Sequence, residues 1–172
     1  MRLFIAINVT PEVKNTLKTA QDSWKAKGIR GNFTPEENLH LTLAFIGEYP
    51  DPDEILDVME SVQSKPFTMR IDGFGNFDDL WWAGVHKSAE LEAVVRQLRH
   101  LLSERHLPFE AGRFRAHITF LRRAVFQSDS LPPLSGKGSR MTVGEIVLYR
   151  SDRGKHGPVY TPLGSVQAEQ TE

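Results

Sequence analysis

Two segments of the chain share one pattern. Leu39-His40-Leu41-Thr42-Leu43 and Ala116-His117-Ile118-Thr119-Phe120 both read apolar, His, apolar, Thr, apolar. The histidines, at 40 and 117, lie 77 positions apart in a chain of 172 residues. Side chains alternate across a β-strand, so a His and a Thr two positions apart share one face. Leu39, Leu41, Leu43 and Phe45, and in the second copy Ala116, Ile118 and Phe120, take the other face. Each strand therefore offers an apolar face to a core and a polar face bearing an imidazole and a hydroxyl. One such copy reads as a polar residue on a half-exposed strand; two matched copies point to a shared site. An imidazole titrates near pH ~6.5, so at neutral pH one ring can be neutral while its neighbour is protonated. The pair then supplies a general base and a general acid together. Threonine hydroxyls beside them can donate to an anionic oxygen. Two imidazoles flanking a phosphorus in line suit attack by water on one side and departure of an alkoxide on the other. That chemistry requires no metal and no cofactor.

The elements that must position these residues alternate along the chain. Leu3 to Val9 reads as a buried strand. Thr10-Pro11-Glu12 caps a helix carrying Val13, Leu17, Ala20 and Trp24, with Gly28 as its stop. The loop Pro35 to Asn38 leads into the first motif strand, Leu39 to Ile46. Asp51-Pro52-Asp53-Glu54 opens a helix with Ile55, Val58, Met59 and Val62 on one stripe. Phe67 to Ile71 and Leu80 to His86 read as strands around a Gly-rich turn, Asp72 to Asn76. Leu91, Val94, Val95, Leu98, Leu101 and Leu102 mark a helix from near Ser88, and Arg115 to Leu121 is the second motif strand. Ser128 to Ser139, rich in Pro, Ser and Gly, reads as a mobile surface loop. Met141 to Tyr149 and Val159 to Val166 are the last strands, and Gln167 to Glu172 is expected to fray.

These residues resemble the two-histidine (2H) phosphoesterases and, more narrowly, the bacterial and archaeal RNA 2′,3′-cyclic phosphodiesterases, also called 2′-5′ RNA ligases. The resemblance runs through Met1 to Ile7, Glu37 to Gly47, Leu80 to Val85, Phe114 to Arg122 and Tyr149 to Leu163, nearly the whole chain. Ala116 departs from it, since the family usually has proline there. The resemblance implies an α+β fold in one two-lobed domain spanning residues 1–172: two antiparallel sheets related by a pseudo-two-fold axis, helices outside, and the site in the cleft between the lobes. It implies hydrolysis of a 2′,3′-cyclic phosphate at an RNA end to a 2′-phosphomonoester, with ligation as the same chemistry when an RNA 5′-hydroxyl replaces water. Carried over, His40 is the proton donor to the departing 3′ oxygen, His117 the acceptor that activates water, and Thr42 and Thr119 hold non-bridging oxygens. The alternatives are a 2H enzyme acting on another small cyclic phosphate and a non-catalytic RNA-end binder. RNA termini or small cyclic nucleotides are the expected partners; neither a membrane nor an obligate protein partner is expected.

The supporting residues are less determined. Ala111 to Val125 holds Arg113, Arg115, Arg122 and Arg123 and no acid, and the planar guanidinium fork suits phosphate. Strand parity puts Arg115 and Arg123 on the face of His117, whereas the family's arginine corresponds to Arg122; a bulge at a strand end would reconcile the two. Trp81 and Trp82 are adjacent and point oppositely, so one is core while the other, taken as Trp82, can stack on a base. Phe77 and Tyr160 are weaker candidates of the same kind. Gly73 to Asn76 lacks the lysine and following helix of a phosphate loop. His86, His100, His106 and His156 read as surface residues.

Composition narrows the classes. The chain has 21 Lys+Arg and 22 Asp+Glu, a formal net charge of −1, which argues against coating long nucleic acid by bulk electrostatics. Residues 1–85 carry 8 basic and 13 acidic side chains, net −5, and residues 86–172 carry 13 and 9, net +4. The basic half brings His117 and is expected to be the lobe that meets the phosphate. The absence of cysteine excludes disulfides, thiolate metal sites and cysteine nucleophiles. No apolar run approaches the roughly 20 residues that span a bilayer, and the apolar start is too short for a secretory segment. A cytoplasmic protein is expected.

Overall fold

The fold was analysed as a computed structural model, which describes residues 1–126 and 139–169. In chain order the elements are β1 (Arg2–Asn8), α1 (Pro11–Ala26), β2 (Arg30–Phe33), a 3-10 turn (Glu36–Asn38), β3 (His40–Glu48), α2 (Pro52–Glu60), β4 (Phe67–Phe77), β5 (Leu80–Val85), α3 (Ala89–Glu104), β6 (His117–Val125), β7 (Arg140–Val143), β8 (Glu145–Gly154) and β9 (Gly157–Gln167). The helix starts follow the capping residues: Thr10, Asp51 and Ser88 each accept a backbone N–H in the first turn, with Pro11 and Pro52 at the first helical positions.

The strands run in the order β7-β4-β5-β6-β3-β1-β8-β9, with β2 also paired to β6, and the ladders are all antiparallel. The two expected sheets are thus joined edge to edge. Their seam is the pairing of Leu41 with Ile118 between β3 and β6, and both side chains are fully buried. One lobe is β3-β1-β8-β9; the other is β7-β4-β5-β6 with β2.

The lobes are not the two halves of the sequence. The His40 lobe takes β8 and β9 from the C-terminal part of the chain, and the His117 lobe takes β2, β4 and β5 from the N-terminal part. The charge split at residue 85 therefore does not divide the lobes. The helices also cross over. α1 follows a strand of the His40 lobe but packs on the other: the Trp24 ring meets Phe74 and Phe120 edge-on at 4.8 Å each and Trp81 at 5.8 Å. α2 and α3 pack against each other and against β3, β8 and β9. This exchange ties the lobes together through the main core.

Several elements differ from the sequence reading. β4 continues through the Gly-rich stretch to Phe77, irregular against β5 between Ile71 and Phe74 where Gly73 has φ 70°, and the turn falls at Asp78-Asp79. Gly75 faces the Trp82 ring so closely that a Cβ there would overlap it, so this glycine serves packing rather than a turn. β2 was not expected; its residues are mostly exposed, and it exists because β6 offers it an edge. β6 starts at His117, two residues later than expected, and continues to Val125. Gln167 ends β9, and the next two backbone N–H groups donate to Gly144 and Ser64, so the segment through Glu169 is paired rather than frayed. The loop expected at Ser128 to Ser139 lies, apart from Ser139, outside the described residues. Ala116 is half-buried and packs on the core, as its parity required. Among the described residues no helix is long and apolar enough to cross a membrane.

Candidate active-site cleft

The Leu41–Ile118 seam fixes the geometry of the cleft. In an antiparallel pair this register sets His40 opposite Thr119 and His117 opposite Thr42, on the face away from the core. All four side chains line one cleft of about 900 Å³, within the range of small-molecule sites, about 300–1,000 Å³.

Both imidazoles are anchored in the same way. His40 Nδ1–H donates to the Asn38 carbonyl at 2.7 Å, and His117 Nδ1–H donates to the Arg115 carbonyl at 2.6 Å. Each anchor is the carbonyl two residues upstream, and each leaves Nε2 free to face the cleft. The Thr42 hydroxyl lies 2.9 Å from His40 Nε2 and donates to it when the ring is neutral. Aromatic edges hold the rings on matching sides. Tyr160 meets His40 edge-on at 5.2 Å and 85°, and Phe77 meets His117 at 5.4 Å and 84°. Behind them, Phe4 lies 5.0 Å from His40 and Trp82 6.3 Å from His117.

The symmetry continues past the threonines. β3 is bulged against β1 near Leu43-Ala44, and β6 against β5 near Phe120-Leu121. In both strands two consecutive residues are buried, and the parity then resets. Position His+5 therefore returns to the cleft: Phe45 in β3 and Arg122 in β6 both line it. Arg123 follows with a left-handed backbone, φ 55°, and does not line the cleft. Of the two, Arg122 is the one in the cleft with His117. Arg115 lines the cleft, with its guanidinium 5.8 Å from the Phe77 ring centroid. Tyr160 lines it too. Trp82 does not: its ring covers Gly75 and its indole nitrogen is buried. Trp82 supports His117 from behind, and Trp81 packs in the core as expected. The sequence reading missed Arg2 and Asn38, and it placed Phe45 on the core face with Leu41 and Leu43, which the bulge reverses. Asn38 is buried, and its side chain donates to the Pro158 carbonyl at 3.0 Å, holding the start of β9 against His40.

Six arginines (Arg2, Arg99, Arg113, Arg115, Arg122, Arg153) and three carboxylates (Glu48, Glu110, Asp152) line the cleft, so it is basic in a protein of net charge −1. His40 titrates below its ordinary 6.5. Burial is the main cause; the hydrogen bond to Asn38 opposes it, and the charges of Arg122 and His117 add to it. The Tyr160 phenol is raised by burial. No group of three or more His, Asp or Glu able to hold a metal ion occurs among the described residues. His86, His100, His106 and His156 are exposed.

An α+β fold that brings two strand-borne His-Thr pairs to one basic cleft about a pseudo-two-fold axis defines a two-histidine class of protein. The 2′-5′ RNA ligase superfamily model matches residues 11–155. The RNA 2′,3′-cyclic phosphodiesterase of Thermus thermophilus is 34% identical, over 95% of this chain and 88% of its own. That of Thermotoga maritima is 30% identical, over 98% and 96%. The crystal structure of Escherichia coli LigT complexed with 3′-AMP superposes with a TM-score of 0.84 at 26% identity, covering 98% of both chains. The chain belongs to the 2′-5′ RNA ligase superfamily.

Proposed function

We propose that this protein is a cytoplasmic RNA 2′,3′-cyclic phosphodiesterase that opens the cyclic phosphate at an RNA terminus, or on a small cyclic nucleotide, to a 2′-phosphomonoester. The observation that carries the reading is the seam: one pairing, Leu41 with Ile118, sets two histidines, each anchored through Nδ1, diagonally across a basic cleft. The printed activity of the relatives in Thermus thermophilus and Thermotoga maritima supports it.

His117 Nε2 takes a proton from water as the water oxygen bonds to phosphorus. The P–O3′ bond breaks on the opposite side, and protonated His40 delivers its Nε2 proton to O3′. One water is consumed, and the two imidazoles exchange protons with solvent to reset. Thr42, Thr119 and Arg122 hold the non-bridging oxygens; Arg115 stands beside His117 for a further contact. His40 starts from a depressed pKa. The incoming phosphate anion reverses that bias, because it adds a negative charge beside the ring and offsets Arg122. Thr42, freed from Nε2 when the ring is protonated, turns its hydroxyl to the phosphate. An RNA 5′-hydroxyl in place of water gives a 2′-5′ linkage by the same steps.

Incubation with 2′,3′-cyclic AMP and with a cyclic-ended oligonucleotide tests the reading. A 2′-phosphate product, formed equally in the presence of a chelator, is expected. A 3′-phosphate would overturn the assignment of His40 to O3′, and tight binding without product would favour a non-catalytic role. Replacing His40 or His117 by Ala should lower turnover about 10²-fold or more; wild-type turnover in either variant would sink the two-histidine mechanism.

A further inference from the structure

In the proposed reaction, on which this inference rests, the two sides of the phosphorus have unequal needs. The departing O3′ and the ribose that carries it belong on the His40 side. The His117 side admits the nucleophile, and hydrolysis asks of it only room for a water. The protein offers more there. A second groove, of about 370 Å³, opens beside the cleft and shares Arg113, Phe114 and Arg115 with it. Its other titratable lining residues are His86, Lys87 and Glu92. Strand register explains the position. β5 sets Gly84 opposite His117, so the chain leaving β5 at His86 and Lys87 runs beside the chain entering β6 at Arg113 and Arg115. Backbone bonds fix both walls: the His86 N–H donates to the Arg70 carbonyl at 2.8 Å, and the Arg115 carbonyl accepts from His117 Nδ1 at 2.6 Å. The side chains of His86, Lys87, Arg113 and Arg115 stay exposed.

We propose that this groove is the acceptor-strand site for RNA joining: it holds a second RNA by the phosphodiester that follows its 5′-terminal nucleotide, and so presents the 5′-hydroxyl to His117. A 5′-hydroxyl end carries its first phosphate on its own 3′ side, one ribose away from the attacking oxygen and therefore outside the cleft. Arg113 and Arg115 stand at that boundary, and Lys87 lines the groove alone. Guanidinium and ammonium groups hold a phosphodiester by charge-assisted hydrogen bonds, and three fixed cations against the one carboxylate of Glu92 leave the groove positive. Water has no such handle, so the groove raises joining relative to hydrolysis by holding the competing nucleophile in place. In the joining step the 5′ oxygen bonds to phosphorus and its proton passes to His117 Nε2. The P–O3′ bond breaks, and His40 Nε2 delivers its proton to O3′. No water is consumed, and the product is a 2′-5′ phosphodiester beside a free 3′-hydroxyl.

The test sets joining against hydrolysis in wild type and in Lys87→Glu, a change at an exposed side chain outside the cleft. A cyclic-ended oligonucleotide is incubated with a 5′-hydroxyl oligonucleotide, and the 2′-5′ joined product is measured against the 2′-phosphate. The variant should lose about tenfold in joining and keep wild-type hydrolysis of 2′,3′-cyclic AMP. A methylphosphonate at the acceptor's first linkage removes the phosphate charge; it should cost wild type a similar factor and the variant little. Equal loss of both reactions in the variant, or joining that responds to neither change, overturns the proposal. So does a wild type that hydrolyses but joins nothing at any acceptor concentration. A second readout needs no turnover: anisotropy of a labelled 5′-hydroxyl trinucleotide, titrated with protein already saturated with adenosine 2′-phosphate. Binding by wild type that weakens in Lys87→Glu supports the site; no binding, or binding that the variant leaves unchanged, overturns it. Failure of the proposed reaction shows instead as no hydrolysis by wild type, and the titration then still decides whether the groove takes RNA.

Discussion

His40 is held by its backbone and tuned by its surroundings, and the two effects can be measured apart. Burial, Arg122 and His117 favour its neutral form against the pull of the Asn38 carbonyl. In the proposed mechanism His40 is the proton donor and must be charged, so kcat/KM, which reports the free protein, should fall as pH rises through a value below 6.5. At saturation the bound phosphate anion raises that pKa, so the same limb in kcat should lie at higher pH. Coincident limbs would refute anion-assisted protonation. In the free protein Arg122→Ala removes one like charge, and the His40 ring signals in an NMR titration should move their midpoint upward; an unmoved midpoint would separate Arg122 from His40. The same depression links to stability. The unfolded chain binds the His40 proton more readily, so this contribution is complete above about pH 6.5 and declines as pH falls below it. The four motif residues were legible because His-x-Thr with alternating apolar neighbours is a strand signature with chemistry on one face. The depression of His40 was not, because it arises first from burial and then from the charge of Arg122, which no local pattern ties to position 40.

At the scale of elements, the choice between Arg122 and Arg123 turned on a bulge. Simple alternation favours Arg123, and it fails because Phe120 and Leu121 are both buried. A signal was present: Leu43-Ala44 and Phe120-Leu121 each put two apolar residues together after the Thr, which interrupts the alternation in both strands at the same place. β2 carried no such signal, since Arg30-Gly31-Asn32 has no apolar face and pairs only because β6 supplies an edge. Gly73 to Asn76 misled for a similar reason, because the glycine at 75 answers to a tryptophan on the neighbouring strand. Gly75→Ala should therefore destabilise by about 1–3 kcal/mol through overpacking, read by urea denaturation. Trp82 pairs with Thr119, so turnover should fall as well; unchanged stability would mean that the ring moves aside freely. Asn38→Ala leaves the His40 anchor intact, because that anchor is a backbone carbonyl, but releases Pro158. A loss of about 1–2 kcal/mol is expected, with KM rising more than kcat falls as Tyr160 loosens. The reverse pattern would place Asn38 in catalysis instead of in support of the β9 turn.

At the scale of the whole molecule, the net charge of −1 concealed a basic cleft. The division by sequence halves pointed the right way about a concentration of positive charge but misplaced it, because each lobe is woven from both ends of the chain. Arg2 and Arg153, far apart in sequence, line the same cleft as Arg113 and Arg122. That weave is invisible to a reading that follows the chain, since nothing in β8 names β1 as its neighbour. The charge arrangement nonetheless makes a quantitative demand. Binding single-stranded RNA releases counterions, and log K falls with log salt by about 0.7 for each phosphate neutralised. A protein that coats RNA would engage many phosphates. A cleft of about 900 Å³ in a nearly neutral body should engage the terminal phosphate and one or two neighbours, giving a slope of roughly −1 to −2. Fluorescence anisotropy of a 2′-phosphate-ended oligonucleotide across a salt series measures it. A slope steeper than about −4 would mean that the RNA follows a longer basic track outside the cleft. A slope near zero would mean that base stacking alone, without the arginines, holds the terminus.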